Sequence, residues 1–153
     1  MLNLTVVKLS ALNDAGIEKH PNYAERVGVY IGSGIGGLAL IEATHTLNTS
    51  VGPKKISPSF IPGSIINMIA GNLSIEYGFK GPNLAISTAC TTSTHCIGES
   101  FRTIQYNDAD VMVCGGSEST ICDLGVGGFS AARALSTRND DPQSASRPWD
   151  SGR

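Results

Sequence analysis

Two short apolar runs bracket a helix-length segment in the middle of the chain. Residues 83–88 (Asn83-Leu84-Ala85-Ile86-Ser87-Thr88) and 109–114 (Ala109-Asp110-Val111-Met112-Val113-Cys114) are continuous and apolar, as strands are when both faces of a parallel sheet are covered. Between them, over 90–106, Ile97, Phe101 and Ile104 recur at spacings of four and three, which predicts a helix with one buried stripe. Strand, crossover helix and parallel strand form a unit that is almost always right-handed. Upstream, 8–17 has helical spacing (Leu9, Leu12, Ala15) ending near Gly16, and 26–31 reads as a buried strand that runs into the glycine turn 32–37. Residues 43–60, with Pro53 and Pro58, read as a polar surface excursion. Pro62-Gly63-Ser64 then opens a helix carrying Ile65, Ile66, Ile69 and Leu73, broken by Lys80-Gly81-Pro82. Beyond Gly115 the chain is glycine-rich and irregular, with a helical turn at Ala131 to Leu135. The pattern predicts an α/β fold with a mostly parallel sheet.

Composition narrows the classes. The 153 residues, 41% hydrophobic and 16% charged, suit one domain with a substantial core. A net charge of −2 carries no basic stripe for nucleic acid. No apolar run approaches the roughly 18 residues that span a membrane, and Met1 to Lys8 lacks the features of an export signal. The four cysteines, Cys90, Cys96, Cys114 and Cys122, make no C-x-x-C pair, and only three histidines accompany them. A metal site is therefore not expected, nor a disulfide framework; reduced thiols in a cytoplasm are the simplest account.

The candidate chemistry centres on Cys90. It follows an apolar strand at the point where helical periodicity begins, and free backbone N–H groups at a helix start favour thiolate over thiol; on position alone a buried structural cysteine is the commoner alternative. His95 invites a Cys–His pairing, but five residues along one helix place it about 140° away around the axis, so a core or helix-packing role is expected. Gly32-Ser33-Gly34-Ile35-Gly36-Gly37 fits the dinucleotide fingerprint. The acidic residue that should follow some 20 positions on is replaced by Lys54-Lys55-Ile56, which argues against a nicotinamide cofactor. Lys54, Lys55, Arg133 and Arg138 read individually as solvated charges.

The segment Ile86-Ser87-Thr88-Ala89-Cys90-Thr91-Thr92 resembles the nucleophile motif of the β-ketoacyl-acyl-carrier-protein synthases, the elongating condensing enzymes of fatty-acid synthesis. The likeness extends through Val27 to Leu38, Gly52 to Pro58, Asn67 to Gly71, Asp108 to Val113, Leu124 to Phe129, Ala131 to Thr137 and Arg147 to Asp150. It is nearest to the type II branch and covers nearly the whole chain. Ser93 and Thr94 depart from it, replacing a small and an apolar residue after the nucleophile.

The resemblance implies a thiolase-like fold, of which 1–153 would be the N-terminal half without its opening strand. It implies Cys90 as acyl-accepting nucleophile, with its own N–H as one oxyanion donor. Ile35 would bound the acyl pocket, and Phe129 would stand at its entrance on a mobile loop. Lys54, Lys55 and Arg133 would face an acidic acyl carrier protein bearing acyl and malonyl groups. A homodimer would form through the strand near 83–88, and no metal or organic cofactor is implied. The family's catalytic histidines, a supporting lysine and the second oxyanion donor belong to a C-terminal half, and none of His20, His45 or His95 matches them. Two expectations follow: the chain is a portion of a condensing enzyme, or it is a non-catalytic remnant or dimerisation module of one.

Overall fold

The computed structural model describes residues 10–17 and 23–153. The start of the expected 8–17 helix and His20 lie outside the described residues; 10–14 are helical, and Gly16 closes that helix with a φ of +66°.

Three strands make one parallel sheet in the order β2-β1-β3: β1 is Val27–Gly32, β2 is Asn83–Leu84 and β3 is Val111–Gly116. Residues 83–88 and 111–116 are thus not neighbours, because β1 lies between them and pairs with both. The regular ladder on the β2 side stops at Leu84, so the expected strand 83–88 contracts to two residues. On the other side β1 and β3 stay in register from Val27 opposite Val111 to Gly32 opposite Gly116.

Every residue of β1 is buried, since helices cover both of its faces. Val27, Val29 and Ile31 alternate onto one face and pack with Ile69, Ala70, Leu73 and Phe79, joined by Val111 and Val113 from the register partner. This face is covered by α3, Asn67–Tyr77. The opposite face of the sheet receives α4, Thr92–Gln105, where the Tyr30 hydroxyl accepts a hydrogen bond from Thr103 at 3.3 Å.

Several expected elements differ. Residues 43–51 belong to helix α1, Leu38–Val51, not to a loose excursion. Thr46, Thr49 and Ser50 turn their hydroxyls back onto helix carbonyls, Thr46 onto Glu42, Thr49 onto His45 and Ser50 onto Leu47, so these side chains are satisfied within the helix. The helix expected from Pro62 divides into α2, Phe60–Ser64, and α3, with a break at Ile65 and Ile66. The glycine-rich tail contains helix α5, Asp123–Ala131, whereas 132–135 are not helical. Three glycines should weaken α5, but Gly125 sits where a β-carbon would overlap the Thr120 carbonyl. The Leu124 N–H also finds the Glu42 carboxylate at 2.8 Å.

The stripe expected to be buried on the 90–106 helix is outward instead. Ile97, Phe101 and Ile104 are 55%, 66% and 45% exposed, and α4 packs inward through Thr92, Cys96, Ser100 and Thr103. Small residues let α4 approach the sheet closely, as Gly116 against Ser93 shows.

Candidate active site

Cys90 lies in a single 3-10 turn, Ala89–Thr91, directly before α4. That turn is shaped by its neighbours. Ala89 has a φ of +52°, a left-handed conformation that costs a residue with a β-carbon about 1–2 kcal/mol. Such outliers persist only where surrounding contacts hold them, and here the threonines supply those contacts. The Thr91 hydroxyl donates to the Thr88 carbonyl at 2.7 Å, and the buried Thr92 hydroxyl accepts the Thr88 N–H at 2.9 Å. The Thr88 hydroxyl pairs with Nδ1 of His95 at 2.7 Å. His95 is therefore not a core residue: it is exposed and braces the turn from α4. Cys90 itself is exposed, and all four cysteines are free thiols.

A cavity of about 400 Å³ opens at the carboxyl edge of β1 and β3, with Gly32, Ile35, Cys90, Ser93, Glu118 and Phe129 in its wall. Cys90, expected as a nucleophile, and Ile35 and Phe129, expected from the resemblance at an acyl pocket, thus line one space. Phe129 reaches it from helix α5, not from a mobile loop. Lys54 and Lys55 occupy the 3-10 turn Pro53–Lys55 after α1, and Arg133 follows α5 with a φ of +55°. All three are exposed and lie outside the cavity.

The sequence reading passed over Glu118. Its carboxylate takes hydrogen bonds from the Ser33 hydroxyl at 2.9 Å, the Ile35 N–H at 2.8 Å and the Gly36 N–H at 3.0 Å. Partial burial opposes its charge, but these donors and the Ser119 N–H outweigh burial and hold the carboxyl below its ordinary range. Gly36, at a φ of +95°, lets the turn present its N–H groups to one anion. An acid two residues beyond the end of a strand, in Gly115-Gly116-Ser117-Glu118, was the available signal.

Among the described residues no group of three or more histidines, cysteines or acids is placed to hold a metal, and no helix is long and apolar enough to cross a membrane.

Known proteins resemble this chain in sequence and in fold. Residues 2–153 match the beta-ketoacyl synthase N-terminal domain family. A 3-oxoacyl-[acyl-carrier-protein] synthase 2 from Vibrio harveyi is 60% identical over 145 residues, 95% of this chain and 35% of its own length. The protein of that name from Coxiella burnetii is 57% identical over 143 residues, 94% of this chain and 34% of its length. Among solved structures, a beta-ketoacyl synthase from Burkholderia phymatum STM815 superposes with a TM-score of 0.80 at 28% identity, covering 95% of this chain and 36% of that one. A second neighbour, with a TM-score of 0.75 and 28% identity over 86% of this chain and 34% of that one, comes from a complex of a type II polyketide synthase acyl-carrier protein with its ketosynthase bound to the hexaketide. The chain spans about a third of the length of the relatives it matches. A parallel sheet delivering an exposed cysteine to a cavity at its carboxyl edge, with a match from residue 2 to residue 153, puts this chain in the β-ketoacyl synthase family, in its N-terminal domain.

Proposed function

We propose that this chain is the acyl-accepting portion of a 3-oxoacyl-[acyl-carrier-protein] synthase of fatty-acid elongation. The observation that carries the reading is the exposed Cys90 on a braced turn, opening onto a cavity shared with Ile35 and Phe129. The Cys90 thiolate attacks the carbonyl of an acyl thioester on the carrier's pantetheine; the carrier thiolate leaves and the chain is held on Cys90. The Cys90 N–H offers one donor to the tetrahedral oxyanion. Malonyl carrier then loses carbon dioxide, and the resulting carbanion attacks the Cys90 thioester. That step forms the β-ketoacyl carrier and returns the thiolate. By family resemblance, the histidines that assist decarboxylation lie in the part of the relatives this chain does not cover. Its own His95 is engaged with Thr88.

Lys54, Lys55 and Arg133 supply positive charge for an acidic carrier protein, which would be steered with a salt-sensitive on-rate. The carrier complex of the structural neighbour supports this partner. Self-association through 83–88 fits β2 as the outer strand on that side of the sheet, with Leu84 exposed. A cytoplasmic location accords with the free thiols.

The test uses the protein expressed from its complete reading frame, given a long-chain acyl carrier and malonyl carrier. A β-ketoacyl product, preceded by an acyl adduct on Cys90 and abolished by Cys90→Ala, is expected. An adduct without product in the complete protein would favour the non-catalytic module; no adduct on Cys90 would remove the nucleophile assignment.

A further inference from the structure

The β1–β3 register sets up a second feature of the cavity. Gly32 stands opposite Gly116 at the strand ends, and the ladder continues one step further through the Ser117 N–H to the Gly32 carbonyl at 3.0 Å. The two chains then part: one enters the turn 33–36, and the other presents Glu118 to it. Both carboxylate oxygens are used, Oε1 by Ser33 and Gly36 and Oε2 by Ile35. Buried Ser33 completes the ring, since its oxygen also accepts the Gly36 N–H at 3.1 Å. The clasp is returned from the other side, where Glu42 of α1 holds the start of α5 through the Leu124 N–H. One carboxylate thus grips the turn that carries Ile35, and another grips the helix that carries Phe129.

We infer that Glu118 is the positioning residue of the acyl-chain wall: by gripping the turn 33–36 it holds Ile35 beside the space next to Cys90 and so sets which chain lengths enter. This rests on the acyl-transfer reading of the same cavity. Glu118 does not touch the sulfur in this role; it acts through Ile35. The anion is needed because the turn offers N–H groups and a hydroxyl, all donors. A neutral glutamine at 118 can accept with one oxygen only, and its amide NH2 would oppose a donor. Alanine leaves the Ser33 hydroxyl and the Ile35 N–H to water, leaves the Gly36 N–H only the Ser33 oxygen, and frees the turn.

The experiment measures alkylation of Cys90 in the complete protein by iodoacetamide and by its N-decyl derivative, read by intact mass and peptide mapping. The ratio of the two rates reports the wall and not the thiol. In Glu118→Ala the decyl preference should fall about tenfold, the scale of a misplaced apolar contact, with the iodoacetamide rate unchanged. Glu118→Gln should fall by less. Glu99→Gln, on the outward face of α4 near Arg102, should keep the parent ratio. An unchanged ratio in E118A, or equal loss of both rates, overturns the assignment. Should E118A lose its cooperative melt, the ratio in E118Q decides by the same rule. The reaction is judged separately. If the parent forms no β-ketoacyl product but the ratio still falls, the reaction fails and the wall assignment stands. If product forms with the parent chain-length profile in the variant, the wall assignment falls and the reaction stands.

Discussion

Gly32 and Ile86 meet backbone against backbone. A β-carbon on Gly32 would overlap the Ile86 carbonyl oxygen and lie 2.6 Å from Cγ2 of buried Thr92. The absent side chain is what lets the segment before Cys90 lie against the end of β1. Gly32→Ala must push 86–92 outward, with an expected cost of about 2–3 kcal/mol or more. Thermal unfolding reads the stability, and slower long-chain alkylation of Cys90 reads the displaced turn. A variant that melts and alkylates as the parent does would contradict this contact.

Cys90→Ser keeps the shape of the turn and removes the thiol. Because Cys90 is exposed and outside the core, its stability should change by less than about 0.5 kcal/mol, while acylation disappears. Mass spectrometry after incubation with an acyl thioester distinguishes this from acylation at Cys96, Cys114 or Cys122, which would survive the substitution.

Glu42 makes the start of α5 acid-sensitive. Its carboxyl is held below the ordinary range chiefly by the Leu124 N–H, against partial burial, with help from the Cys122 thiol and the Asp123 N–H. A depressed carboxyl stabilises the fold above its unfolded value and loses that contribution as pH falls through the folded one. Stability should therefore decline below about pH 4.3, and Glu42→Gln should flatten part of that limb. Exchange of the Leu124 amide with deuterium, faster in the variant at neutral pH, is the local measurement; no change there would exclude the contact.

Thr88 and His95 hold the Cys90 turn from outside. Thr88→Val removes the hydroxyl that pairs with Nδ1 at 2.7 Å and should cost about 1 kcal/mol. If the brace matters to the strained Ala89 turn, Thr88→Val and His95→Ala should each slow Cys90 alkylation. The double variant should do no worse than the single ones, because both delete one interaction. Additive losses would show that the two side chains act separately.

Local pattern revealed much of this protein. Strands expected at 26–31 and 109–114 and a helix expected at 90–106, from continuous apolar runs and a change of period, stand at 27–32, 111–116 and 92–105. The cysteine stood out because it falls where one period gives way to the other. Ile35 and Phe129 came from family resemblance, not from periodicity, and the cavity joins them to Cys90. The inward side of α4 could not be read the same way. Thr92, Cys96, Ser100 and Thr103 face the sheet, while the more apolar Ile97, Phe101 and Ile104 face outward. A rule that sends the greasier stripe inward picks the wrong side when close approach demands small side chains.

What the amino-acid order determined alone was the kind of β1, β3 and α4, though not of α1 or α5, and the place of Cys90 between strand and helix. Both are short-range properties, set by side-chain period, by turn glycines and by a thiol at a strand-to-helix junction. Tertiary structure alone decided that β1 would separate β2 from β3 and that β2 would stop at Leu84, two residues before Gly32 meets Ile86. It alone decided that Glu118 would close on the amides of Ile35 and Gly36. Those relations join positions 54 to 85 residues apart, and no local pattern encodes which distant carbonyl or carboxylate will satisfy a buried turn.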